Sequence, residues 1–260
     1  MKKIVRIFSA VANLQEHPGD QDHIGRRDSQ LLHGEQFEIQ SVQDGWAFGR
    51  SVLDGYTGHV RLTDIDSHRI TPTHAVATIH TNTYRQPDFK TKPSLTLSFM
   101  SRVAINPDRT ENGFVALKGV KDVWIPQSHL IALKDLKKNP ADIVETAQMF
   151  SGTPYIYGGR SARGIDCSGL VQIALQRNGI ACPRDADQQQ DVIGSAVELK
   201  DLRRGDIVYF PGHVGIMVDD SNILNATVRH MKVVTEPLAD MLGHYGDGER
   251  AILSVRRLVP

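Results

Sequence analysis

The chain changes texture at Lys134-Asp135-Leu136-Lys137-Lys138, and that change limits the folds open to it. Upstream, from about Ile4, short β-type runs alternate with polar turns. Residues 36–40, 46–49 and 58–61 form one set, and residues 75–79, 96–99, 114–117 and 123–126 a second. Asp44-Gly45 and Asp54-Gly55 are turn dipeptides between runs of the first set. Short, closely spaced strands of this kind predict small barrels. Two fit, divided near residues 67–73, with too little identity between them to read as a sequence repeat.

Downstream of the charged connector the pattern becomes helical. Asn139 is placed to cap a helix that has Pro140 at its first position and Asp142 favouring its dipole. Ile143, Ala147 and Phe150 give that helix an apolar face, and Gly152 ends it. A second helical segment runs over residues 170–178, with Leu170, Val171, Ala174 and Leu175 as its stripe and Gly179 at its end. Strand patterns follow at 206–210, 213–218, 223–228, 231–235 and 252–256. Helices first and an antiparallel meander after them define an α+β domain. The expected divisions are 1–70 and 71–137 for the barrels and 138–260 for the α+β domain.

Lys+Arg and Asp+Glu both number 30, so formal charge is balanced and neither nucleic acid nor an anionic membrane is indicated as partner. No stretch approaches the roughly eighteen apolar residues of a membrane helix. Only Cys167 and Cys182 are present, which argues for a reducing compartment over a disulfide framework. Arg6 interrupts the apolar run near the N-terminus, so those residues read as a strand rather than a signal peptide. A cytoplasmic location is expected. Eleven histidines and two cysteines show no zinc spacing, His68, His74 and His80 included, and no metal or cofactor is expected. The oligomeric state is not encoded in any pattern here.

Chemistry concentrates at Asp166-Cys167-Ser168-Gly169-Leu170. Asp166 is a good N-cap, which places Cys167 in the first helical turn, where unpaired N–H groups and the dipole stabilise a thiolate. A free thiol titrates near ~8.5, and such placement lowers that value. The competing reading is a small buried core residue. A reactive cysteine needs a base and the base an orienting group. His213 begins an apolar strand between Gly212 and Gly215, and an inert, hydrogen-bonded strand-end histidine is its alternative. With the following turn centred near Asp219, Asn225 stands opposite His213 and its amide oxygen would fix the imidazole tautomer. His230 is the competitor, carried beyond His213 by the same hairpin. Cys182, before Pro183, reads as a packed loop residue.

Tyr155-Ile156-Tyr157-Gly158-Gly159, Asp166-Cys167-Ser168-Gly169-Leu170, Pro183-Arg184-Asp185, Arg204-Gly205-Asp206 and Gly212-His213-Val214-Gly215 together resemble the NlpC/P60 family of papain-like cysteine peptidases. The resemblance covers about residues 139–260. Upstream, Asp54-Gly55-Tyr56-Thr57-Gly58 and Val123-Trp124-Ile125-Pro126 resemble paired bacterial SH3-type (SH3b) domains. The implied fold is a papain-like α+β catalytic domain preceded by two small SH3-like β-barrels. The subgroup implied is that of γ-D-glutamyl-L-diamino acid endopeptidases, acting on muropeptides with a free N-terminal L-alanine. The resemblance makes Cys167 the nucleophile and His213 the base. Asn225 falls where most members have a second histidine, a departure that papain-like chemistry tolerates. Tyr155, Asp166, Ser168 and Asp185 match cleft-lining positions, and Arg184 belongs to the same motif as Asp185. Tyr157 takes a slot often held by tryptophan, and Ala186 one where some relatives have serine.

A peptide stem of this class carries a terminal ammonium and a free carboxylate. Asp185, with Glu35 or Tyr56 of the first barrel, would bind the ammonium, and the hydroxyls of Ser168 and Tyr155 the carboxylate. Taken without the resemblance, Arg184 and Asp185 read equally as a surface ion pair, and Glu35 and Tyr56 as barrel surface. Two other functions compete with the free-muropeptide peptidase. One is a secreted hydrolase of intact wall; the other is a non-catalytic protein that binds wall fragments through its barrels.

Overall fold

The computed structural model describes residues 3–18, 27–67, 70–138 and 140–258. The chain divides into two compact units, Met1–Lys138 and Asn139–Pro260.

In the first unit, β1 (Lys3–Ile7), β2 (Val11–Gln15), β3 (Arg27–Leu32), β4 (Gln36–Gln43), β5 (Trp46–Ser51), β6 (Thr57–Arg61) and β7 (Ile65–Asp66) form one sheet. Its order is β3-β2-β6-β5-β4-β1-β7. Asp44 and Gly45 make the tight β4–β5 turn with φ of 47° and 82°, the left-handed pair that a two-residue hairpin requires. Val5, Ile7, Ala12, Leu14, Leu31, Phe37, Ala47 and Val60 all enter a single core cluster, with Ile65 packed against it. Side chains from all seven strands meet there, so the sheet is rolled around them as a barrel.

The next strands are β8 (His74–Val76), β9 (His80–Tyr84), β10 (Pro93–Ser98), β11 (Arg102–Val103), β12 (Ile105–Glu111), β13 (Phe114–Leu117), β14 (Trp124–Pro126) and β15 (Leu130–Ala132). They form two sheets, β10-β9-β14-β13-β12 and β11-β8-β15. Val76, Leu97, Val103, Val115, Leu117 and Ile125, drawn from both sheets, fill one core between them. The first strand set is joined to this one through the Arg102 N–H, which donates to His33 O at 2.7 Å. Gly34 sits at the same junction, where a Cβ would lie 1.9 Å from Arg102 O.

The second unit contains α1 (Ile143–Gln148), β16 (Arg160–Ser161), β17 (Gly164–Ile165), α2 (Cys167–Gln176), α3 (Ala186–Val192), β18 (Ser195–Ala196), β19 (Ile207–Phe210), β20 (His213–Met217), β21 (Asn222–Thr227), β22 (Lys232–Pro237), α4 (Leu238–Tyr245) and β23 (Ser254–Arg257). Its main sheet runs β18-β23-β19-β20-β21-β22. β19 to β22 form the expected meander, but α4 interrupts it and β23 returns to pair with β19. Helix α2 packs on β20, β21 and α1.

Two helix expectations are corrected. Asp142, not Asn139, caps α1: its Oδ1 accepts from Val144 N at 2.7 Å and Glu145 N at 3.3 Å. Asn139 lies outside the described residues, and Pro140 precedes the helix rather than opening it. The apolar stripe on α2 understates its burial, since all ten residues, Gln172 and Gln176 included, are buried. A helix covered on every side needs partners for its polar groups, and Gln172 Nε2 donates to Cys182 O at 3.1 Å. Among the described residues no helix is long and apolar enough to cross a membrane.

Candidate active site

Cys167 is the first residue of α2. Asp166 caps that helix, one carboxylate oxygen accepting from Gly169 N at 2.7 Å and the other from Gly158 N at 2.8 Å. Gly169 is required for this approach: a Cβ there would meet Gly159 O at 2.4 Å and the Asp166 carboxylate at 2.9 Å. Arg184 completes the cluster, donating to the two Asp166 oxygens at 3.0 and 2.5 Å and to Ser168 Oγ at 2.8 Å. Its guanidinium is buried beside a buried carboxylate, so the charges neutralise each other and the fork geometry fixes their orientation.

This geometry corrects one expectation. Arg184 is not a surface residue: it is buried and paired with Asp166, with the Asp185 charge also acting on it. Asp166 has both oxygens held by protein donors, and Ser168 Oγ accepts from Arg184 and lies 3.4 Å from Asp166 Oδ1. The Asp166 carboxylate and the Ser168 hydroxyl therefore brace the start of α2.

His213 opens β20, and its Nε2 lies 3.1 Å from Asn225 Oδ1. The expected partner is right but the expected register is not. The turn is centred on Asp220, with Val218 N donating to Asn222 O at 2.9 Å and Asp219 capping Ser221 N and Asn222 N. Ile216 faces Leu224 and Met217 faces Ile223, so continuing the register sets Thr227 opposite His213. A two-residue slip preserves the face of a strand, and Asn225 reaches His213 diagonally. An amide oxygen only accepts, so Nε2 carries the proton and Nδ1 keeps its lone pair.

The Cys167 thiol lies against the N–H groups of Val214, the residue after His213, and of Ser168. Burial, followed by the Asp166 charge, nevertheless pushes it up to about 12. That reverses the expected lowering: desolvation and the Asp166 charge outweigh the Val214 and Ser168 N–H groups and the Arg184 charge, which act the other way. Burial also takes His213 down to about 4, against the smaller opposing effects of the Asn225 hydrogen bond and the Glu236 charge. The resting pair is therefore an uncharged thiol and an uncharged imidazole, which leaves His213 unprotonated and able to accept a proton.

Tyr155 is half-buried, and its phenol is raised by burial and then by the Cys167 and Asp166 charges, which sets it beside the thiol. Tyr157 is 53% exposed. Asp185 occupies the N-cap position of α3 but makes no side-chain capping bond. In the first unit, Glu35 is 1% exposed and its Oε2 accepts from Leu32 N at 2.9 Å. Tyr56 is half-buried against the first barrel's core. Barrel surface therefore describes neither residue, least of all Glu35.

Two features escaped the sequence reading. Asn225 Nδ2 donates to Glu236 Oε1 at 2.9 Å, and Glu236 is in turn paired with Arg229. Tyr245, the last residue of α4, stacks on Phe210 with ring centroids 5.5 Å apart and planes 6° from parallel. Phe210 lies 6.3 Å from the His213 ring. The only local signal for Glu236 was its position on the same hairpin face as Asn225. Cys182 is buried and, like Cys167, takes part in no disulfide.

Comparison with known proteins agrees with this arrangement. Residues 152–244 match the NlpC/P60 family model, and residues 20–65 match that of the bacterial dipeptidyl-peptidase Sh3 domain. A γ-D-glutamyl-L-lysine dipeptidyl-peptidase of Bacillus subtilis (strain 168) is 26% identical over 80% of this chain and 75% of its own length. The enzyme of that name from Bacillus cereus is 29% identical over 60% of this chain and 50% of its own. The crystal structure of an NlpC/P60 family protein from Bacillus cereus superposes with a TM-score of 0.84 at 21% identity, covering 99% of this chain and 100% of that one. The fold and site define a cysteine peptidase. The chain carries an NlpC/P60 domain over residues 152–244 and a bacterial SH3-type domain over residues 20–65.

Proposed function

We propose that this protein hydrolyses the γ-D-glutamyl to L-diamino acid bond of free muropeptides bearing an N-terminal L-alanine, in the cytoplasm, during cell-wall recycling. The observation that carries the reading is the His213–Asn225 hydrogen bond, which leaves Nδ1 basic next to the strand residue whose N–H faces the Cys167 thiol. The similarity to two γ-D-glutamyl-L-lysine dipeptidyl-peptidases supports the bond and the free amino end. Two cysteines outside any disulfide suit a reducing compartment.

In the proposed reaction His213 Nδ1 takes the thiol proton as Sγ attacks the γ-carbonyl carbon. The N–H of Cys167, at the first helical position, has no intrahelical acceptor and would stabilise the oxyanion. His213 then passes its proton to the leaving amine as the C–N bond breaks, leaving a thioester. Water, deprotonated by His213, hydrolyses the thioester and the thiol recovers its proton. Asp185 is proposed to meet the substrate ammonium, and Tyr155 and Tyr157 to line the cleft.

The test is incubation with L-Ala-γ-D-Glu-diaminopimelate and chromatography of the products. L-Ala-γ-D-Glu and free diaminopimelate are expected, with Cys167→Ala lowering kcat by about 10⁴-fold or more. Absence of cleavage by the wild-type protein refutes the peptidase reading. Acetylating the substrate amine should abolish turnover; equal rates on both forms would remove the free-terminus requirement and favour a hydrolase of intact wall.

A further inference from the structure

His213, Asn225 and Glu236 stand on three neighbouring strands, β20, β21 and β22, and on one face of the sheet. Asn225 is paired with Val234 and Ile223 with Glu236, so Glu236 lies one diagonal step from Asn225, as Asn225 does from His213. Asn225 is fully buried and Glu236 is 8% exposed. A buried primary amide has two orientations of nearly equal shape, and only one turns its oxygen toward the imidazole. The other would present an N–H₂ group to His213, which would draw the lone pair to Nε2 and leave the proton on Nδ1. A base with its proton on that atom cannot accept one from the thiol.

Glu236 removes the second orientation. Its Oε1 accepts from Asn225 Nδ2 at 2.9 Å, and a carboxylate offers nothing to an amide oxygen turned toward it. Arg229 pairs with the same carboxylate, and His230 Nε2 approaches it at 3.6 Å. Glu236 is thereby kept ionised and held in place: its carboxyl is lowered by the Asn225 and Arg229 hydrogen bonds and the Arg229 charge, against the opposing effect of burial. The charged groups acting on His213 are Glu236, Arg229 and Asp166. Arg229 opposes the charge of Glu236 at His213, and the carboxylate also acts through the orientation of the amide.

We propose that Glu236 is a positioning residue of this site, which locks the Asn225 amide with its oxygen toward His213 and so sets the imidazole tautomer that catalysis needs. The proposal rests on the peptidase reading for its kinetic consequence but not for its structural one. Two variants and two readouts separate these. Glu236→Ala removes the acceptor, whereas Glu236→Gln keeps an acceptor oxygen in the same place.

The first readout requires no substrate. In histidine-labelled protein at pH 8, the His213 nitrogen signals are identified by their absence in His213→Gln. They should report the Nε2–H tautomer in wild type and Glu236→Gln, and a mixture or the Nδ1–H form in Glu236→Ala. The second is turnover of L-Ala-γ-D-Glu-diaminopimelate. Glu236→Ala should lose about tenfold or more in kcat with little change in KM, and Glu236→Gln should stay within about threefold of wild type. An unchanged tautomer in Glu236→Ala overturns the proposal, as does equal loss of activity in the two variants. A tautomer shift in a protein that does not cleave the substrate supports the positioning role and refutes the function.

Discussion

On the helix side of Cys167, the Asp166 carboxylate is held by Arg184, Gly158 N and Gly169 N, and Arg184 also holds Ser168. On the sheet side, one hydrogen bond joins His213 to Asn225 and one joins Asn225 to Glu236. The first cluster is a closed set of charge-assisted bonds among buried groups. The second is a chain of single bonds that ends on an imidazole with one nitrogen left for chemistry. A nucleophile needs its backbone fixed, which many bonds achieve. A base needs one atom free and the other committed, which many bonds would prevent.

That contrast is exposed to test from both sides, and the helix side should give the larger effect. Arg184→Met leaves the Asp166 carboxylate buried without its counter-ion, so urea unfolding should show a loss of about 3–5 kcal/mol. Adding Asp166→Asn should return much of it. A loss below about 1 kcal/mol in the single variant would mean that water reaches Asp166 and that the cluster is not closed.

The sheet side should respond mainly to pH. The folded-state value of His213, about 4, lies below the ordinary 6.5, so the unfolded chain binds the extra proton first. Its contribution to stability is complete above the unfolded value and is lost as pH falls from 6.5 to about 4, amounting to about 3 kcal/mol. His213→Gln should flatten the stability profile by that amount in this window. An unaltered profile would show that His213 is solvated rather than buried neutral.

The two sides also differed in how readily the sequence revealed them. His213 and Asn225 were legible because a hairpin face has period two, so even a register wrong by two residues kept them together. The buried Asp166–Arg184 pair was not legible, because their separation in sequence says nothing about a loop folding back under a helix. Burial also reversed the expected thiol shift, since desolvation depends on what covers Cys167 and not on its place in the helix. Strand β9 was missed because its buried residues are Thr81 and Thr83, which give alternation without hydrophobicity. Strands β3, β11, β12 and β15 are short or polar, and α3 carries no apolar stripe; α4 has one, Leu238, Met241, Leu242 and Tyr245, but it spans only two turns. The cap of α1 was misplaced because Asn139-Pro140 is as good a start signal as Asp142, and only the carboxylate bonds decide between them.

The central claim is that Cys167 attacks the γ-glutamyl carbonyl with His213 as its base. Rapid acid quenching during turnover of L-Ala-γ-D-Glu-diaminopimelate, followed by mass spectrometry of the digested protein, tests it directly. The account predicts an L-Ala-γ-D-Glu acyl group on the peptide containing Cys167, absent from the peptide containing Cys182 and absent altogether in Cys167→Ala. Undiminished turnover in Cys167→Ala, or an acyl group on Cys182 alone, would contradict it.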